Sequence, residues 1–291
     1  MSDTNSLISL GDFTKPATVL IEKIAEAVGG GFRPYQIKRV AKAEAEAEKI
    51  KAIAGLEISE IQQRALVRMI GEEGKKQKNI EDIAAEALPK LNEDAKPEDI
   101  ENDWLANFFE KCKLISDKEM QSLWASLLAG EANKPGTFSK RTVEFTHDMD
   151  KSDAQLFTNL CSFGWYSGQV FPLVYDESNE IYAQKGITFA SLKHLDDIGL
   201  VTFQSIGGFR LQGLGRSTTM FYYGAPINIE FQNAEKNDLQ LGKVLLTKVG
   251  QELGPICGSV KSETFMDYVV NEWSKLGYVP SSLLMKKTTA S

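Results

Sequence analysis

The apolar residues of this chain change period once, at Gly164, and that change limits its folds more than any other feature. Before Gly164 apolar side chains recur every three or four positions, the spacing of one helix face. After it they form short alternating runs between turn residues, the mark of strands. The expected class is mainly α with a C-terminal α+β part: a long N-terminal helix, a central helical bundle and a winged-helix-like C-terminal domain. The 291 residues, 42% of them hydrophobic, suffice for more than one buried core.

Thr14 caps a first helix with Pro16 in its opening turn, and Val19, Leu20, Ile24, Ala27 and Val28 make it amphipathic up to Gly29, Gly30 and Gly31. From Pro34, a narrow stripe of Val40, Ala43, Ala47, Ile50, Ala54, Ile58, Ile61, Ala65 and Met69 predicts a rod reaching Ile70. Gly55 is a point where the rod could fold back, and Gly71 with Gly74 is expected to end it. A separate helix over Asn79 to Leu88 would stop at Pro89. So slender a stripe buries little area by itself, and Ile50, Ile58, Ile61 and Met69 are the expected self-association residues.

Pro97 is expected to open the next helix, with Asp99, Glu101 and Asp103 in its first turn. Behind them Ile100, Trp104, Phe108 and Cys112 recur every fourth residue. Ser116 and Glu119 fit a capping box, followed by Met120, Leu123, Trp124, Leu127 and Leu128. Trp104, Phe108, Trp124 and Leu127 are the expected helical core. A helix over Ser139 to Met149 follows, and Ser152 with Gln155 repeats the capping pattern.

Beyond Gly164 the expected strands are Val170 to Tyr175, Ile181 to Ala183, Val201 to Phe203, Met220 to Tyr223 and Ile227 to Phe231. Helices are expected over Thr188 to Ile198, Thr247 to Leu253 and Ser262 to Leu276. The resulting division is 1–33, an N-terminal amphipathic helix; 34–91, a long helix or helical hairpin; 92–164, a central helical domain; and 165–291, the winged-helix-like part with a C-terminal helix.

Charge and chemistry restrict function. With 33 Lys and Arg against 40 Asp and Glu, the net charge of -7 gives no global attraction for phosphate backbones. Residues 151–260 carry 8 basic against 10 acidic side chains, the reverse of a nucleic-acid footprint, so DNA binding by the winged-helix-like part is the weaker reading. Cys112, Cys161 and Cys257 are scattered, with no CxxC pair, which fits free thiols in a reducing cytoplasm. The opening MSDTNSLISLGDFTKP lacks the pattern of a secretory signal, and no window has the apolar length of a membrane span. Membrane contact is left to the first helix, flanked by Lys15 and Lys23.

Candidate chemistry is sparse. His147 and His194 are the only histidines. His147 beside Asp148 and Asp150, or Asp176, Glu177 and Glu180 followed by Lys185, could supply a metal-dependent nuclease site. Both groups read more simply as polar turns, the second as a hairpin loop between strands. GGFRLQGLG, from Gly207 to Gly215, lacks the GK[ST] ending of a phosphate loop, and its glycines serve turns and close strand packing. No catalytic, cofactor or metal residue is assigned.

Leu123 to Gly130 (LWASLLAG), Asp150 to Ala154 (DKSDA) and Leu246 to Gly250 (LTKVG) resemble bacterial abortive-infection alpha proteins. PYQIKRVAKAEAEAEKI, IENDWLANFFEKCKLISD and GEANKPGTFSKRT resemble an uncharacterised bacterial domain-of-unknown-function family, number 2806, over about Lys15 to Leu253. The first resemblance implies phage defence, and neither supplies catalytic residues. The expectation is therefore a non-enzymatic protein that forms homo-oligomers and contacts a host or phage protein, with a metal-dependent nuclease or a DNA-binding regulator as alternatives.

Overall fold

The computed structural model describes residues 14–29 and 59–282, in two compact units, 1–148 and 149–291. Among the described residues, helices account for the first unit and sheets appear only in the second.

In the first unit, α1 (Lys15–Ala27) begins after Thr14, has Pro16 in its first turn, and buries Ala17, Leu20, Ile21 and Ile24. Its partners are the turn Pro97–Asp99 and α3 (Asn102–Cys112). Lys23 Nζ donates to the Ile100 carbonyl at 2.8 Å and fixes that docking. Pro97 therefore opens a single 3₁₀ turn, and the helix proper starts at Asn102.

The long helix differs from its expected form. Ser59 is an extended N-cap whose hydroxyl accepts from Gln62 N–H, while the Gln62 side chain accepts from Ser59 N–H. α2 then runs unbroken from Glu60 to Ala87. Gly71 and Gly74 lie inside it, and the two expected helices are one. An interior glycine costs about 1 kcal/mol relative to alanine, which a helix anchored at its far end absorbs. That anchor is Ile80, Ile83, Ala84 and Ala87, packed chiefly on α4 (Lys118–Asn133).

α4 is capped by Asp117, which accepts from Glu119 and Met120 N–H, so the cap falls one residue after the expected Ser116. Trp104, Phe108, Trp124 and Leu127 are all buried. Phe108 stacks on Trp104 at 5.3 Å and meets Trp124 edge-on at 5.1 Å. Trp104 Nε1 donates to the Phe138 carbonyl at 2.8 Å, which ties this cluster to the loop before α5 (Lys140–Asp148). The same loop wraps the buried Glu131, whose carboxylate accepts from Gly136 N–H at 2.7 Å and Phe138 N–H at 2.9 Å. Burial pushes the Glu131 pKa up against the pull of those N–H donors.

The second unit begins with α6 (Lys151–Cys161), preceded by Asp150, with Ser152 inside its first turn instead of at the cap. The hairpin of β1 (Gly164–Ser167) and β2 (Gln169–Pro172) leads to α7 (Glu180–Ala183), a helical turn where a strand was expected. Asn179 explains the difference: its side chain accepts from Ile181 N–H and starts a helix. DESNE is thus a strand-to-helix turn. α8 (Phe189–Asp197) carries a capping box formed by Thr188 and Ser191.

Six strands follow: β3 (Val201–Phe203), β4 (Phe209–Leu214), β5 (Ser217–Tyr222), β6 (Ala225–Glu230), β7 (Asn237–Gly242) and β8 (Val244–Leu246). Their antiparallel pairings are nested: Tyr222 with Ala225, Ser217 with Glu230, Leu214 with Asn237, Phe209 with Gly242, and Val201 with Leu246. They form a long nested hairpin divided into three ladders that belong to separate sheets, with register shifts in β4. Its tip is Tyr223 and Gly224, with φ of 46° and 84°, both in the left-handed region that a tight two-residue turn requires.

α9 (Lys248–Leu253) is capped by Thr247, and α10 (Phe265–Lys275) precedes β9 (Val279–Ser282). The sheet order β2-β1-β5-β6-β9 carries an aromatic core in which Trp165 meets Tyr222 at 5.1 Å and Trp273 at 4.8 Å. Among the described residues, no helix is long and apolar enough to cross a membrane.

Candidate interaction surface

The surface least explained by packing is the first part of α2. Every buried residue of this 28-residue helix lies at or beyond Ile80. From Glu60 to Lys78, a length of about 28 Å at the rise of an α-helix, no side chain is buried. Yet apolar residues continue: Ile61 is 68% exposed, Val67 51% and Met69 54%, with Leu66 and Ile70 half-covered. Met69 and Leu66 lie on the helical stripe that Ile80, Ile83 and Ala87 bury further along.

Ion pairs hold this stretch straight. Arg64 and Glu60 approach to 3.5 Å, Arg68 and Glu72 to 3.8 Å, and Lys76 and Glu73 to 2.6 Å. The Glu73 carboxylate holds Lys76 above its usual pKa. Such exposed pairs stabilise a helix by a few tenths of a kcal/mol each. A methyl group added at Gly71 or Gly74 would meet no atom within 4 Å. At Asp82 the helix enters the body of the unit, where the carboxylate receives hydrogen bonds from Lys78 and, at 2.7 Å, from Lys118 of α4.

Of the expected self-association residues, Ile61 and Met69 stand on this open stretch, while Ile50 and Ile58 lie outside the described residues. Of the expected stripe from Pro34 to Ile70, residues 34–58 lie outside the described residues, and the described helix starts after the extended Ser59. The apolar face of α1, considered for membranes, is turned inward onto α3 and the Pro97 turn.

The candidate acidic groups do not converge. His147 Nε2 is 4.0 Å from Asp148, and its buried Nδ1 has no hydrogen-bond partner. Asp150 sits at the α6 cap. His194 Nε2 lies 2.7 Å from Asp153. Asp176 accepts from Ser178, Glu177 pairs with Lys243 at 2.6 Å, and Glu180 opens α7. No group of three His, Cys, Asp or Glu able to hold a metal occurs among the described residues. Gly207 to Gly215 contributes a turn and β4, whose ladder to β7 brings Gly208 against the Gly242 carbonyl.

A family model described as "Protein of unknown function (DUF2806)" matches residues 63–270. The chain belongs to this family. The matched region takes in α2 from Gln63 onward, the rest of the helical unit and the strand-rich unit as far as Val270 in α10, so the DUF2806 pattern covers both kinds of architecture. No curated protein matches the chain, and no solved structure does.

Proposed function

We propose that this DUF2806 protein is a non-enzymatic assembly protein whose chains associate through the first part of α2. The observation that carries the proposal is the uncovered run from Glu60 to Lys78, with Ile61, Val67 and Met69 all more than half exposed on a helix firmly anchored at its other end. Unpartnered apolar side chains on a straight, pre-ordered helix lose little entropy on docking.

The occupant is a second copy of this chain, lying antiparallel. Along the axis the charges run Glu60, then Arg64 and Arg68, then Glu72 and Glu73, then Lys75, Lys76 and Lys78. Turned end for end about Met69, the Leu66 and Met69 stripe of one chain faces the same stripe of the other, and no like charges come level. A parallel, in-register pair would place like charges together. Light scattering on the full chain tests this: Met69→Glu, on the stripe, lowers the oligomer mass. A mass unchanged by Met69→Glu overturns the self-association seam.

The second unit supplies the contact module in this reading. The order α6, β2, α7, α8, β3 and β8, with the long hairpin as the wing, supports a winged-helix-like arrangement. Its α8 surface favours protein over DNA, because Lys193 is engaged by Asp196 and Asp197 on the same helix. The resemblance of LWASLLAG, DKSDA and LTKVG to abortive-infection alpha proteins supports phage defence as the setting. Phage plating efficiency with wild-type and Met69→Glu chains reads that setting directly, and equal plating with and without the protein rejects it.

A further inference from the structure

The function proposed above makes no use of two thiols that the fold of the second unit brings together. Cys161 is the last residue of α6 and is buried. Cys257 follows the 3₁₀ turn Gly254–Ile256 and is partly exposed. The turn packs on α6, and Thr158 Oγ1 donates to the Cys257 carbonyl at 3.0 Å, which seats one segment on the other. The Cys257 thiol donates to the Gly254 carbonyl at 3.1 Å.

Both sulfurs lie against Gly254: Cys257 Sγ is 3.1 Å from its carbonyl oxygen, and Cys161 Sγ is 3.8 Å from where a methyl group on it would stand. The Tyr223 hydroxyl closes the group, 2.8 Å from Ser259 Oγ and 3.3 Å from the Cys161 carbonyl. Tyr223 reaches this position from the tip of the long hairpin, at a positive φ. Hydrogen bonding from Cys161, followed by Ser259 and Thr158, outweighs burial and brings the Cys257 pKa down to about 7. Burial pushes Cys161 up, so it stays a thiol. Cys112, fully enclosed in the first unit, is also pushed up by burial.

We propose that Cys161 and Cys257 form a peroxide-reactive dithiol, with Cys257 the attacking sulfur, Cys161 the resolving one and a small hydroperoxide the substrate. The Cys257 thiolate, its proton lost to solvent, attacks one peroxide oxygen. An S–O bond forms, the O–O bond breaks, and the departing hydroxide takes up a proton to leave as water. The Cys161 sulfur then attacks Cys257 sulfur. The S–S bond forms, the S–O bond breaks, and the released hydroxide carries off the Cys161 proton as a second water. Two thiols lose two electrons and the peroxide gains them. The enclosed position of Cys161 excludes a bulky disulfide as oxidant, and two sulfurs alone are too few ligands for a structural zinc.

The test uses the reduced full chain, one equivalent of hydrogen peroxide at neutral pH, alkylation, and peptide mapping without reductant. The expected result is a linked pair of peptides containing Cys161 and Cys257, with Cys112 recovered alkylated and dithiothreitol reversing the link. Cys257 should react at least about tenfold faster than Cys112. In Cys161→Ser, dimedone should trap a sulfenic acid on Cys257; in Cys257→Ser, Cys161 should stay reduced. The proposal is overturned if wild type forms no Cys161–Cys257 link, if Cys112 reacts as fast as Cys257, or if Cys161 oxidises equally well in Cys257→Ser. The wild-type mapping stands independently of how either variant folds.

Discussion

Between Asn79 and Ala87, α2 sinks Ile80, Ile83, Ala84 and Ala87 into the first unit; between Glu60 and Lys78 it sinks nothing, although the same helix carries apolar residues there too. The two stretches share backbone geometry and acidic side chains, with Lys and Arg confined to the first. They differ in having a neighbour. Helical order at the open end is therefore borrowed from the anchored end, supplemented by the Ser59 cap and the surface ion pairs. The lesson is that a helix can hold an apolar surface ready at little cost when one end is paid up in core contacts.

The contrast breaks most visibly under truncation. Ile83→Ala should cost about 2–5 kcal/mol of unfolding free energy, because Ile83 is fully enclosed. Met69→Ala should change it by less than about 0.5 kcal/mol in dilute, unassociated protein; equal losses in urea titrations would show that both ends are packed alike. Met69→Glu should instead weaken association at least about tenfold, equivalent to ~1.4 kcal/mol, while leaving the urea midpoint of dilute protein in place. Sedimentation across a concentration series reads that change.

Smaller effects sharpen the boundary. Gly71→Ala should slow amide exchange through the open stretch by up to about fivefold, the equivalent of ~1 kcal/mol of helix propensity. No slowing would place that stretch outside the helical state. Asp82 marks the crossing point. Burial acts to raise its pKa, and hydrogen bonds from Lys118 and Lys78 outweigh it, so the folded value lies below the usual carboxylate range. Its stabilisation is present above the unfolded pKa of about 4 and is lost as pH falls through the folded value. Asp82→Asn should cost about 0.5 kcal/mol near neutrality, and the difference from wild type should vanish in acid; a pH-independent difference would exclude the ionic origin.

The residues themselves show which parts of this architecture can be read in advance. The period change at Gly164, the Thr14 start of α1 and the Thr188 cap of α8 are local signals, set by side chains within four positions of one another. The length of α2 is different. Gly71 and Gly74 carry a local stop signal, and distant packing of Ile80 and Ile83 on α4 overrides it. Ile181 to Ala183 has the composition of a strand, and one hydrogen bond from Ile181 to Asn179 makes it helical. β4 and β7 escape notice because their glycines and polar residues interrupt the alternation. The pairing of Cys161 with Cys257 leaves no trace in spacing, because it depends on α6 meeting a turn nearly a hundred positions later.

The nested pairing of β3 through β8 has a kinetic consequence. Strands β3 and β8 are far apart along the chain, and closing that loop in one step would be slow. With the Tyr223–Gly224 tip formed first, each successive rung from Tyr222 and Ala225 outward closes only a few residues of slack. The ladder can thus zip from its tip toward α8 and α9, and the slowest event in folding this unit shifts away from the outermost strands to nucleation of a two-residue bend.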